Sequence, residues 1–106
     1  MITELPITFD EQAIALLCQR HHILKLSLFG SVLRDDFNDE SDVDALVEFE
    51  PGRTPGFGFV DIQDELESIF HRSVDLNTPK FISEYFREEV ISKALAIYVR
   101  AFGDRL

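Results

Sequence analysis

Residues 28–50 read LFGSVLRDDFNDESDVDALVEFE, and the rest of the chain is organised around them. The stretch parses as a strand ending at Gly30-Ser31, a short acidic connection, and a second strand beginning near Val43. Asp42 and Asp44 stand at the mouth of that second strand. Residues two apart on a strand share a face, about 6.6 Å apart along the backbone. Two carboxylates so placed repel each other unless a cation sits between them. A hard divalent ion such as Mg²⁺ suits them, because it takes carboxylate oxygens and leaves positions open for phosphate. Gly30 has no Cβ and lets a ligand come close to the backbone. Ser31 offers a hydroxyl and an N–H where a helix is expected to start, a place where anions bind. Metal beside phosphate is the arrangement that nucleotidyl transfer requires.

Outward from this stretch, Ile23 to Phe29 reads as the first strand, with Leu24, Leu26 and Leu28 on one face and Ile23, Lys25, Ser27 and Phe29 on the other. In the second strand Val43, Ala45, Val47 and Phe49 feed the core, while the face of Asp44 ends in solvent at Glu48 and Glu50. Upstream, Thr8-Phe9-Asp10-Glu11 has the pattern of a capping box and opens a helix to about Arg20. Ile14, Leu17 and Cys18 recur there at helical spacing, so Cys18 reads as a small core hydrophobe. Downstream, Pro51 to Gly56 breaks the chain. Phe59, Ile62, Leu66, Ile69 and Phe70 then mark an amphipathic helix, and its polar residues Asp61, Gln63, Asp64, Glu65 and Glu67 read as a solvated face. Ser73 to Asn77 is a third strand, with Asp75 on the face opposite Val74 and Leu76. Thr78-Pro79 suits a helix start, with Ile82, Tyr85, Phe86 and Val90 as its apolar stripe. Leu95, Ile97 and Val99 alternate as in an edge strand, a helical continuation being the other reading. The fold class is α/β: a small mixed β-sheet flanked by helices that cover one face and leave the carboxylate face as a cleft.

At 106 residues the length suits one domain. A hydrophobic share of 45% with ten Phe excludes a disordered chain. No apolar run approaches the roughly 20 residues of a membrane span. The N-terminal stretch has neither the basic start nor the apolar run of a signal peptide, so a cytoplasmic location is expected. One cysteine excludes an internal disulfide and a cysteine metal cluster. The net charge is −10, and residues 1–53 hold eleven acidic residues against four basic ones. That balance argues against direct binding to nucleic acid, which needs a basic face, and suits a basic protein partner. Anionic ATP would need metal and local cations to be admitted. His21, His22 and His71 lie at helix ends without metal-ligand spacing. Arg53, Arg72, Lys80 and Arg87 are the cations available to the cleft or a partner surface.

Gly30-Ser31, ten intervening residues and Asp42-Val43-Asp44 together resemble the signature of the nucleotidyltransferase superfamily typified by DNA polymerase beta. With FGSVLRDDF, SDVDALVEFEPG and the later RSVDLNTP, the chain is similar over almost its whole length to minimal nucleotidyltransferases (MNT), the antitoxins of HEPN/MNT toxin–antitoxin pairs. The resemblance implies a polymerase beta-like nucleotidyltransferase core and a single MNT domain over residues 1–106. It also implies Mg²⁺-dependent transfer of AMP from ATP to a tyrosine hydroxyl of a partner HEPN ribonuclease toxin, within a hetero-oligomer. Carried over by position, Asp42, Asp44 and Asp75 are the expected catalytic residues and ligands of two Mg²⁺ ions, and Asp75 is also a candidate proton acceptor. Gly30 and Ser31 become expected phosphate contacts, a role compatible with a plain strand-to-helix turn. Arg34, one turn into the presumed helix, is an expected nucleotide contact. Many relatives read Ala-Arg-Gly after the Gly-Ser pair, whereas this chain has Val32-Leu33-Arg34-Asp35, and Asp35 and Asp36 compete for the guanidinium. The alternative function is a non-catalytic binding module that neutralises the toxin by covering it.

Overall fold

A computed structural model describes residues 5–100, so the first four residues of the N-terminal stretch lie outside it. Helix α1 spans Glu11–Arg20, and its cap is Asp10 rather than Thr8. The Asp10 carboxylate accepts from the N–H groups of Gln12 at 2.9 Å and Ala13 at 3.2 Å, which satisfies two free donors of the first turn. The expected capping box is therefore displaced by an acid standing two residues nearer the helix. Strand β1, Ile23–Phe29, and strand β2, Val43–Phe49, pair antiparallel. Strand β3, Val74–Asn77, joins β2 in parallel, and β4, Leu95–Val99, joins β1 antiparallel, giving the order β3-β2-β1-β4. The alternation at residues 95–99 thus marks an edge strand, not a helix.

The expected faces of β1 need one correction. Its register with β2 shifts between Ile23 and Lys25. This bulge turns Ile23 to the side of Leu26 and Leu28, and all three are buried. Val43, Ala45 and Val47 share that side and pack against Ile14, Leu17 and Cys18 of α1 and Ile62, Leu66 and Phe70 of helix α2, Gly58–Phe70. Burial pushes the Cys18 thiol up to about 12, in keeping with an inert core position. The opposite face is not solvent throughout, because Ser27 and Leu46, register partners at its centre, are also buried.

The polar side of α2 is only partly a solvated face. Asp61 and Asp64 are exposed, but Glu67 Oε2 accepts from the Val74 N–H at 3.0 Å and Gln63 Oε1 from the Leu76 N–H at 3.4 Å. These side chains occupy the outward N–H groups of edge strand β3, which would otherwise invite pairing with another strand. Glu65 binds Arg20 at 2.7 Å and His21 at 3.1 Å, tying α2 to the end of α1. His21 and His71 stand at helix C-termini, as their positions suggested.

The expected helix at Thr78-Pro79 is a short 3₁₀ turn, Pro79–Phe81. Helix α3, Glu84–Lys93, starts afresh after Ser83, whose Oγ accepts from the Tyr85 N–H. Arg87 holds the break, donating to the carbonyls of Pro79 at 2.7 Å and Ile82 at 3.1 Å. The apolar stripe expected to seat this helix is largely uncovered: Tyr85 is 93% and Phe86 60% exposed, and α3 contains no buried residue. Among the described residues no helix is long and apolar enough to cross a membrane.

Candidate active site

The site forms where β1 ends and β2 and β3 begin. After Phe29 the chain enters a 3₁₀ turn, Gly30–Leu33, rather than an α-helix, and Arg34 leaves it in an extended conformation. Gly30 has φ +74°, a left-handed conformation that glycine adopts without penalty. A Cβ there would run into Oδ2 of Asp44, with Cγ of the same residue 3.2 Å away. The Asp44 carboxylate thus lies directly against the Gly30 backbone, and only glycine leaves room for it. Ser31 Oγ donates to the Asp42 carbonyl at 3.4 Å, linking the turn to the segment that delivers the acids.

The parallel register places Asp75 beside Asp44, so their side chains emerge on one face of neighbouring strands. Asp44 is half-buried, while Asp42 and Asp75 are exposed. Burial raises the Asp44 carboxyl above its ordinary 3.8, the negative charges of Asp75 and Asp42 add to the rise, and Arg34 opposes it. Three sequence-picked acids therefore stand close enough to feel one another. Among the described residues none of the three forms an ion pair with a basic side chain. Their hard oxygens suit Mg²⁺ in kind, yet no set of three or more acidic, His or Cys side chains among the described residues is arranged to hold a metal alone. Mg²⁺ sites commonly take one or two carboxylates and complete the shell with water and substrate phosphate. This donor set fits that pattern better than a closed protein cage.

Arg34 is not one turn into a helix but just beyond the 3₁₀ turn, with Nε 3.4 Å from Asp36 Oδ1 and both side chains well exposed. The competition read from the sequence is realised, although the Arg34 charge still reaches Asp44. Two of the other candidate cations, Arg53 and Arg87, are engaged elsewhere. Arg53 Nη2 lies 2.8 Å from His22 Nε2, and Arg87 holds the carbonyls described above. Lys80 is exposed.

Arg72 has a role that the sequence did not disclose. Its Nη1 donates to the carbonyls of Asn38 at 3.0 Å and Ser41 at 2.8 Å, and its guanidinium lies 4.6 Å from the centre of the Phe37 ring. The Val43 N–H donates to the Ser73 carbonyl at 2.9 Å. Arg72 therefore fastens the connection that carries Asp42 to the turn that carries Asp75. Its place immediately before the third strand was the only available signal. On the other side of Gly30 an open groove of about 700 Å³ separates Phe29, Leu33 and Arg34 from Phe86, Glu89, Val90 and Lys93 of α3.

Comparison with known proteins agrees with this geometry. Residues 11–102 match the family described as polymerase beta, nucleotidyltransferase. A candidate protein adenylyltransferase of Methanocaldococcus jannaschii is 34% identical over 85 residues, covering 79% of this chain and 84% of its own length. A solved candidate minimal nucleotidyltransferase superposes with a TM-score of 0.67 at 33% identity, covering 80% of this chain and 86% of its own. Two toxin–antitoxin structures share the fold at lower identity. One, with AMP-PNP, has a TM-score of 0.68 at 19% identity over 91% of this chain and 78% of that one. The other is a tri-AMPylated Shewanella oneidensis HEPN toxin in complex with MNT antitoxin, at a TM-score of 0.60 and 20% identity over 90% and 74%. The mixed sheet, the Gly30–Asp44 contact and the match over residues 11–102 lead to one assignment: the chain belongs to the polymerase beta nucleotidyltransferase family.

Proposed function

We propose that this chain is a single-domain antitoxin of the cytoplasm that transfers AMP from ATP to a tyrosine hydroxyl of a HEPN-type toxin, with Mg²⁺ bound by Asp42, Asp44 and Asp75. The observation that carries the reading is the Asp44 carboxylate packed on Gly30 with Asp75 as its register neighbour. Gly30 and Ser31 meet the phosphates, and Arg34 adds a cation at the exposed rim. Bound Mg²⁺ would supply charge neutralisation for the attacking and leaving oxygens. The acceptor oxygen attacks the α-phosphorus, the bond to the β-phosphate oxygen breaks, pyrophosphate departs, and Asp75 takes the phenolic proton. The relative named as a protein adenylyltransferase and the AMPylated toxin in the structural neighbour support the choice of a protein acceptor.

The test is incubation of the chain with its partner toxin, ATP and Mg²⁺, followed by intact-mass measurement. Addition of adenylate to the toxin is expected, with a loss of about 100-fold or more in rate for Asp42→Asn or Asp44→Asn. No mass increment with the parent chain, while a related enzyme modifies its own toxin, overturns the reading. A second reading, neutralisation by contact alone, draws on the uncovered Tyr85 and the 99% exposed Phe57. Full toxin neutralisation by the Asp42→Asn, Asp44→Asn double variant would favour it.

A further inference from the structure

We infer that the groove between the Gly30–Leu33 turn and α3 receives the nucleobase of the bound nucleotide, with Phe86 as one stacking wall. The inference rests on the nucleotidyl-transfer reading and adds a subsite to it. Gly30 lines the groove as well as meeting Asp44, so the groove opens directly from the proposed phosphate contacts. Phe29, register partner of Asp44, lines it from the end of β1. Its two cations are each matched: Arg34 lies 3.4 Å from Asp36, and Lys93 lies 2.9 Å from Glu89. Phe29 and Phe86 give the groove aromatic walls, suited to a planar heterocycle, and Glu89 is the one acid among its lining residues. Phe86 is 60% exposed and Leu33 39%, so both have apolar surface left to cover.

Stereochemistry selects between base and acceptor. An acceptor oxygen attacks opposite the departing pyrophosphate. With the pyrophosphate at Gly30 and Ser31, on the β1 side of the acids, the acceptor enters from the β3 side, where Asp75 stands. The groove lies on the β1 side and is closed to an in-line acceptor. The sugar, an equatorial substituent of the reacting phosphorus, can turn into it.

The chain contains no tryptophan, so Phe86→Trp installs a single reporter. Its fluorescence is expected to change on addition of Mg-ATP and to remain constant with Mg-tripolyphosphate, which has the phosphates without the base. Phe86→Ala is expected to weaken Mg-ATP binding about 10-fold, as loss of one stacked base contact does, and to leave tripolyphosphate binding unchanged. ATP affinity unaffected by Phe86→Ala, or ATP and tripolyphosphate weakened equally, overturns the assignment. So does a Trp signal that responds to the partner toxin and not to ATP. Failure of the parent chain to bind Mg-ATP at all would instead remove the transfer reading, and this subsite with it.

Discussion

Gly30 and Asp44 constrain each other so closely that single substitutions there have opposite consequences. Gly30→Ala forces a side chain into a left-handed conformation, at about 1–2 kcal/mol, and drives its Cβ into the carboxylate of Asp44. Urea titration should show that loss, and transfer should fall further than stability alone explains, because Asp44 must move. Asp44→Asn acts the other way on the fold. With its carboxyl raised above 3.8, ionising Asp44 costs the folded state, and the penalty grows as pH rises from 3.8 through the raised value. In chelator, the Asn variant should melt above the parent at pH 7, and the gap should close as pH falls and the parent's carboxyl protonates. Equal melting temperatures at pH 7 would show that neither burial nor the neighbouring acids penalise ionised Asp44 in the fold. Gly30, Ser31, Asp42 and Asp44 were legible because a local spacing and an alternation rule bring them together. Asp75 was legible as an outward residue of a strand, but its place beside Asp44 depends on which strand neighbours β2, which no local pattern specifies.

At the scale of elements, what the sequence revealed depended on how local the cause was. Both core helices and all four strands appear close to their expected limits, because each carries a strong apolar period. The exceptions arise where a specific contact overrides the period. Asp10 captures the first turn of α1, the bulge at Leu24 turns Ile23 inward, and Arg87 interrupts the helix expected from Pro79. Arg72 belongs with these: its partners are carbonyls more than 30 residues away, and no periodicity encodes them. Arg72→Ala removes two charge-assisted hydrogen bonds and the stack on Phe37, and should raise the dissociation constant for Mn²⁺, used as a spin probe, about 10-fold as a lost supporting residue does. Arg72→Lys should recover part of the loss, since it keeps the charge but not the planar fork. A lower melting temperature with unchanged Mn²⁺ binding would reduce Arg72 to a stabiliser of the loop.

Across the whole molecule, burial is concentrated on one face of the sheet. The sheet face of Val43, Ala45 and Val47, closed by α1 and α2, contains nearly all of the core, whereas α3 buries none of its residues. Leu66, fully buried on α2, should therefore be far more sensitive than Phe86 on α3. Leu66→Ala creates a cavity among fixed neighbours and should cost about 2–5 kcal/mol. Phe86→Ala changes a mostly exposed side chain and should stay within about 0.5 kcal/mol. Hydrogen exchange on the intact chain checks the same division: amides of β1 and β2 should open only with global unfolding, and those of α3 well before it. A helix anchored at its start by Arg87 and free along its apolar side can be ordered by what it covers. Mg-ATP should then slow exchange in α3 more than in α2, and an equal effect on both helices would mean that the nucleotide stabilises the fold as a unit without engaging α3.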